Sequence, residues 1–290
     1  MALTTTTTLT ELVNSEAINS TILMYAHDFT VVGGTVAQLD LRGKASVVGS
    51  FPKWVLDTAT DITNESTTLA NNDLETTDVQ ITAAEIGIRR DLTDAVLEST
   101  IIGPQLFDFL TKDAALLFAI SLDDDIVALY GSLSTSVGTS GSNLTIANMV
   151  EAQAQVRKNL QRGPLVFVLD DQQASDYQAA LAAATATTVN SFFEVAVGIE
   201  TGYLGTFMGA PVWQTGLCDT ANTAADVVGA CYVNGAASPT TACFGMVIAR
   251  DITAELQRDA SERTTEVVHT AKWGVGEIGD LSGCGIVTDA

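Results

Sequence analysis

Residues 103–131 read GPQLFDFLTKDAALLFAISLDDDIVALYG, and no Gly or Pro interrupts the stretch between Gln105 and Tyr130. Pro104 stands where a first-turn proline is tolerated, because its missing N–H would have no helical partner there. Gly131 supplies the left-handed stop common at helix ends. At ~1.5 Å per residue the helix between them is a rod of roughly 40 Å. Leu106, Leu110, Leu117, Ile120, Val127 and Tyr130 recur at steps of three, four or seven, which predicts one apolar stripe, widened by Phe109, Leu116 and Ile126. Asp113, Asp123 and Asp124 fall on other faces. A single rod of this length is a spine, and it suggests a protein that is built rather than one that catalyses.

Outward from the spine, the chain has 290 residues, enough to bury a large core, and 47% of them are apolar. The longest apolar run, Ala114–Ile120, is far shorter than a membrane span. Residues 1–41 hold no Lys or Arg, so no signal or transit peptide is read there, and the protein is expected to stay in the cytoplasm where it is made. Thirteen basic residues against 35 acidic ones leave a net charge of −22. That balance argues against a nucleic-acid reader, which needs a basic patch to neutralise phosphates. It suits a soluble surface that does not adhere to DNA beside it.

Before the spine, residues 1–40 open with a threonine run and offer only a short amphipathic helix around Leu9, Leu12, Val13 and Ile18. Too little core is present for this arm to fold alone, so it is expected to pack on another chain. Strand character follows around 45–56 and again at 77–89, where VQITAAEIGIRR alternates. The Thr/Asn/Asp-rich segment between them reads as the polar tip of a long two-stranded excursion. Such a ribbon is marginal in water unless a neighbour supports it. A short helix is expected over Leu92–Glu98, capped by Asp91 or Thr93.

Beyond the spine, the Ser/Gly/Thr-rich residues 132–143 read as an exposed link. Residues 144–245 alternate helix and strand. A helix is expected over Thr145–Gln161, a buried strand at Leu165–Leu169, and a second helix capped by Asp170 or Asp171, followed by Gly-rich turns between short strands. Residues 246–290 return to strands and are expected to lie beside the spine.

Enzyme signatures are absent from this pattern. Gly274-Val-Gly276-Glu-Ile-Gly279 matches G-x-G-x-x-G literally, but a dinucleotide site needs that turn to open a helix, and turn glycines between strands explain it better. Asp123-Asp124-Asp125 cannot close on one ion, since successive helical residues point about 100° apart, and a solvated face is expected. Cys218, Cys231, Cys243 and Cys284 form no C-x-x-C pair and read as buried free thiols. His27 and His269 are isolated and read as packed histidines. Arg89-Arg90 is expected to pair with acidic neighbours. No catalytic, cofactor-binding or metal-binding residue is assigned, and no cofactor is expected.

The order of parts carries a resemblance: VQITAAEIGIRRDLTDAVLEST before the spine, Asp125–Gly131 at its end, and GYLGTFMGAPVWQTG in the later domain. Together they resemble the HK97-fold major capsid proteins of tailed bacteriophages, over nearly the whole chain. The resemblance implies an α+β, HK97-like fold. Residues 1–40 would be the N-terminal arm and 41–90 the extended loop. Residues 91–143 with 246–290 would form the peripheral domain with its spine helix, and 144–245 the α/β axial domain. It further implies a non-enzymatic structural subunit that self-assembles into hexamers and pentamers of an icosahedral virion capsid. That capsid would be assembled in the host cytoplasm around double-stranded DNA that it does not bind specifically, and it would have no membrane partner. Portal, scaffolding and cement proteins are the partners such a shell can have. Forty residues are too few for a built-in scaffolding segment. Some members cross-link a loop Lys to an Asn of the peripheral domain, helped by a Glu; here Lys44 and Lys53 are on the loop, but no Asn follows Asn234. An encapsulin-type compartment is the alternative within the fold. An acidic α/β binding or adhesion module is the alternative outside it, and the unread export signal counts against that.

Overall fold

A computed structural model describes residues 30–54, 76–99, 103–183, 193–195, 202–221 and 225–290. The N-terminal arm before Thr30, with His27, and the polar tip of the excursion both lie outside the described residues.

The spine helix forms as the sequence dictates, over Gly103–Val127 (α2), and a short helix, Asp94–Ser99 (α1), precedes it. Leu92 does not join α1. It stays in the strand Ala84–Thr93 (β4), buried against Leu110 and Val267. The spine packs on a four-stranded sheet made of Ala37–Asp40 (β1), Phe244–Asp259 (β12), Thr264–Glu277 (β13) and β4, in the order β1-β12-β13-β4. β1 runs parallel to β12, and the other pairs are antiparallel.

The stripe that the sequence suggests is buried at Leu110, Leu116, Ile126, Val127 and Tyr130, but not in the middle of α2, where Ala114 and Phe118 are buried while Leu117 is 39% exposed and Ile120 is half-buried. The side chain of Leu106 lies outside the described residues. Phe118 rather than Leu117 meets the sheet, edge-to-face with Trp273 at 5.8 Å between ring centroids. Apolar residues occupy most of this helix, so its period leaves the rotation loosely determined, and the position of β13 sets it.

The second sheet holds the strands Ser136–Gly138 (β5), Leu165–Leu169 (β6), Phe193–Val195 (β7), Tyr203–Phe207 (β8), Ala210–Gln214 (β9), Asp226–Val233 (β11) and Gly283–Asp289 (β14). Their order is β5-β14-β11-β6-β9-β8-β7, with Thr220–Ala221 (β10) paired to β11. Two helices cover one face: Ile146–Lys158 (α3), whose Thr145 side chain caps the Asn148 N–H at 3.2 Å, and Asp171–Ala183 (α4), where Asp170 caps Gln172 at 3.0 Å. β6 shows why its sequence is a continuous apolar run. Leu165, Phe167 and Leu169 face the helices with Met149, Val156 and Tyr177, while Val166 and Val168 face the end of the spine.

That opposite face is the joint of the molecule. Tyr130 at the end of the spine, Tyr232 on β11 and Phe244 at the start of β12 form an aromatic triad with centroids 5.1–5.7 Å apart. The Thr35 hydroxyl donates to the Val32 carbonyl at 2.7 Å, so Tyr232 donates to Thr35 at 2.6 Å and Tyr130 in turn lies 3.3 Å from the Tyr232 hydroxyl. A chain of three hydroxyls thus satisfies a fully buried cluster.

One further placement differs from expectation. β14, read as a strand closing beside the spine, pairs instead with β11 and β5. The turn Asp280–Ser282 carries the chain from one sheet to the other. Gln173, buried on α4, holds β14 there by donating to the Ile286 carbonyl at 3.0 Å and the Thr288 hydroxyl at 2.9 Å.

Candidate assembly surfaces

The excursion begins as a two-stranded ribbon of Val48–Trp54 (β2) and Thr76–Thr82 (β3), paired antiparallel from Val48↔Thr82 to Trp54↔Thr76. Its base rests on the chain's own sheet, contrary to the expectation that only a neighbour would support it. Ile81 is buried, and Phe51 packs with Leu39, Val247 and Ile278. Two glycines make this approach possible: a Cβ on Gly49 would collide with Val247, and one on Gly274 with the carbonyl oxygen of Thr82. Gly274 therefore stands inside β13, where backbone crosses backbone, and neither it nor Gly276 forms the turn the sequence suggested. β4, grouped with the excursion by its alternation, is a full member of the four-stranded sheet, paired to β13 from Ala84 to Thr93.

Charge on this sheet is used internally. Arg89 holds Asp91 at 2.9 Å and Glu266 at 2.5 Å, and Arg90 pairs with Asp113 of the spine, as expected of this basic pair. Arg250 holds Glu85, Arg258 holds Asp94, and Arg42 bridges Asp40 and Asp251. The Arg42 guanidinium keeps the Asp40 carboxyl at about 2, below its ordinary value. Exposed pairs of this kind contribute only about 0–1 kcal/mol each. Their larger consequence is that these arginines are already engaged with carboxylates and form no basic stripe for phosphates.

The aspartate triplet is not a solvated face. Asp123 is 3% exposed and accepts the backbone N–H groups of Val31 and Gly33 at 2.6 and 3.0 Å, which fixes the entering chain to the spine. Asp125 accepts the Trp273 indole N–H at 3.0 Å, and only Asp124 faces out. The three diverge as helical geometry requires, and no grouping suited to a metal ion occurs among the described residues. All four cysteines are buried and free, and burial pushes their thiols up, Cys284 to about 11, which disfavours the thiolate. His269 is packed in β13, 1% exposed, facing the spine.

What remains on the outside is apolar in places a lone subunit does not require. Leu160 follows α3 with φ at +61° and is 69% exposed; Met208, at the β8–β9 turn, has φ of +49° and is 46% exposed. A non-glycine residue in the left-handed region costs free energy, and here it sets a large apolar side chain in solvent. Leu281 lies near Leu160, since Asn159 donates to its carbonyl at 3.1 Å. Leu117 on the spine, Val150 on α3, Ile252 and Leu256 on β12, and Val47 and Val48 at the foot of the excursion are exposed as well. No sequence signal marks these positions, because exposure depends on which face the sheets leave uncovered.

No protein-family model matches the sequence, and no curated protein matches it. Solved structures do. The capsid structure of cyanophage P-SCSP1u aligns with a TM-score of 0.63 at 12% identity, over 90% of this chain and 89% of that one. The head structure of Helicobacter pylori bacteriophage KHP40 aligns with a TM-score of 0.63 at 12% identity, over 91% of both chains. The capsid of a native GTA particle aligns with a TM-score of 0.63 at 12% identity, over 92% of this chain and 91% of that one. The chain thus has the fold of phage capsid and head structures, the HK97-like arrangement that the order of its elements resembles.

Proposed function

We propose that this chain is the structural subunit of an icosahedral phage capsid, assembling into hexamers and pentamers around double-stranded DNA. The observation that carries the reading is the agreement of fold with phage capsid and head structures over about nine-tenths of both chains. In this reading the spine and its four-stranded sheet are the peripheral domain, the eight-stranded sheet with α3 and α4 is the axial domain, and β2–β3 is the root of the extended loop. The exposed apolar residues Leu117, Leu160, Met208 and Leu256 then face neighbouring subunits. DNA is contained by closure of the shell and not by affinity, because the arginines above are paired and the net charge is −22.

Negative-stain electron microscopy of the purified chain tests this. Closed shells of uniform diameter are expected, and small discrete oligomers would overturn the proposal. Particles recovered from infected cells should carry a nucleic-acid absorbance ratio; shells loaded with protein cargo instead would point to a compartment.

A further inference from the structure

The eight-stranded sheet and its helices carry opposite charges at their two ends. Strand pairing defines the ends: β6, β9 and β14 begin at one of them, where β11 finishes, and run to the other. Within residues 133–243 the only Lys or Arg residues are Arg157, Lys158 and Arg162, and none follows Lys272. All three are exposed at the first end, in the last turn of α3 and the chain leading into β6. Arg157 holds that link by donating to the carbonyls of Gln161 and Gly163 at 3.2 and 3.0 Å. Lys158 and Arg162 form no ion pair among the described residues, whereas Arg89, Arg250 and Arg258 of the other sheet are all paired. Between these cations stands Leu160, 69% exposed in a left-handed conformation that glycine ordinarily takes after a helix. Leu281, whose carbonyl accepts from Asn159, is 50% exposed beside it, and the Met208 turn lies at the same end. Asp280, next to Leu281, is taken by the N–H and hydroxyl of Ser134. At the opposite end, Asp171, Asp219 and Asp289 are exposed and Asp170 is half-buried. Burial, with the Asp171 carboxylate beside it, pushes the Asp170 carboxyl up. Leu217, half-buried near Asp219, adds apolar surface there.

We propose that these two ends dock on each other between copies, the basic end around Leu160 meeting the acidic end of a second copy of this chain. The inference rests on the reading of the chain as a shell subunit and names the surfaces through which subunits meet. Each copy then uses one end to hold its neighbour and offers the other to be held. A head-to-tail contact of this kind closes into a ring when its rotation permits, which a two-fold contact does not do. Opposite potentials steer the encounter and fix its orientation, and like ends repel. Leu160 and Leu281 supply the apolar centre, which explains why a leucine is kept in a strained conformation in solvent. Duplex DNA is the other anionic partner for such cations, but its phosphates give these leucines nothing to pack against.

Charge reversal in pairs tests the contact, read by sedimentation velocity and electron microscopy of each purified chain. Lys158→Glu with Arg162→Glu makes both ends acidic, and Asp219→Lys with Asp289→Lys makes both basic. Neither chain should assemble, yet each should melt as the native chain does, since all four side chains are exposed. The chain carrying all four substitutions should assemble again. A fourfold chain that folds without assembling would overturn the inference. Native shells left intact by either pair would overturn it while leaving the shell reading in place, and a native chain that stays monomeric would overturn both. If the reversed chains do not fold, Lys158→Gln with Arg162→Gln decides. Its assembly should be roughly tenfold slower than native in about 50 mM salt and nearly equal to native in about 1 M salt. Equal rates at both would overturn the inference. Duplex DNA retained by the native chain and lost by this variant, with assembly unchanged, would assign the basic end to nucleic acid instead.

Discussion

The carboxylate of Asp125 lies 3.0 Å from the indole Nε1 of Trp273 and fastens the last turns of the spine to the middle strand of the sheet beneath. Both groups are largely shielded: Trp273 is 7% exposed and its ring edge meets Phe118. Removing the acceptor leaves a buried N–H without a partner, which costs more than the bond itself contributes. Asp125→Ala should therefore destabilise the unassembled subunit by about 1–3 kcal/mol in urea unfolding. Asp125→Asn, whose amide oxygen still accepts, should recover most of that. Equal losses for the two variants would show that the bond does not hold the spine.

The rotation of the spine gives a second contrast. Phe118→Ala deletes a ring that is 2% exposed, and should cost about 3–5 kcal/mol. Leu117, one residue earlier, is 39% exposed. Leu117→Asp should change the stability of the subunit by no more than about 0.5 kcal/mol, yet reduce particle yield if that face meets a neighbour. Thermal unfolding of the two subunits, with particle counts for the second, separates folding from assembly.

His269 makes stability depend on pH. Burial, with the nearby Arg90 charge, holds its pKa below the ordinary value, so the folded chain favours the neutral imidazole. Below the ordinary value of about 6.5 the unfolded chain binds the extra proton first, so stability is lost as pH falls through that range and is fully present above it. Urea midpoints measured from pH 8 to pH 5 should fall more steeply for the native chain than for His269→Met. Parallel curves would remove His269 as the cause.

The ribbon gives a fourth outcome. Its foot is fixed within the chain through Phe51, Ile81 and the close approach at Gly49 and Gly274. Replacing residues 57–74 by a direct join should leave a soluble subunit with an unchanged melting temperature, because β2 and β3 keep their pairing and their support. Closed particles should be lost if the polar segment between β2 and β3 meets a neighbouring subunit, as its Thr/Asn/Asp-rich sequence suggests. Normal particles from this deletion would show that the tip plays no part in assembly.

Much of this architecture is legible in the sequence, and the exceptions share a cause. Thr145, Asp170 and the run Leu165–Leu169 mark their elements because caps and apolar runs act locally. The spine is visible through the absence of breakers, but the fine rotation of its middle is not, since Leu117 and Phe118 are both apolar and only β13 decides between them. Asp123 reads as solvated because its partners, the Val31 and Gly33 amides, are 92 and 90 residues away. The placement of β14 depends in the same way on Gln173, 113 residues before Ile286. Local chemistry can be read along the chain, whereas long-range pairing requires the fold.

The last expectation concerns covalent closure. A cross-link of the kind the resemblance brings to mind joins a lysine amine to an asparagine carboxamide and releases ammonia. Lys53 lies on β2 and Lys44 just before it, so amines are present near the root of the ribbon. The acceptor is missing where it would be needed. No Asn occurs after Asn234, so β12, β13 and β14 contain none, and none occurs between Asn72 and Asn143, which excludes β4 and the spine. Aspartates are plentiful there, but an ionised carboxylate resists attack by an amine without activation, and the Arg258 guanidinium holds the Asp94 carboxyl below its ordinary value, in the charged form. Particles should therefore be closed without covalent bonds between subunits, by contacts such as those Leu117 and Leu160 offer. Boiled and reduced particles should run as a single band near 30.3 kDa on a denaturing gel. A ladder of multimers that survives reduction, with peptides joined through Lys44 or Lys53 in mass spectra, would show that another side chain serves as acceptor.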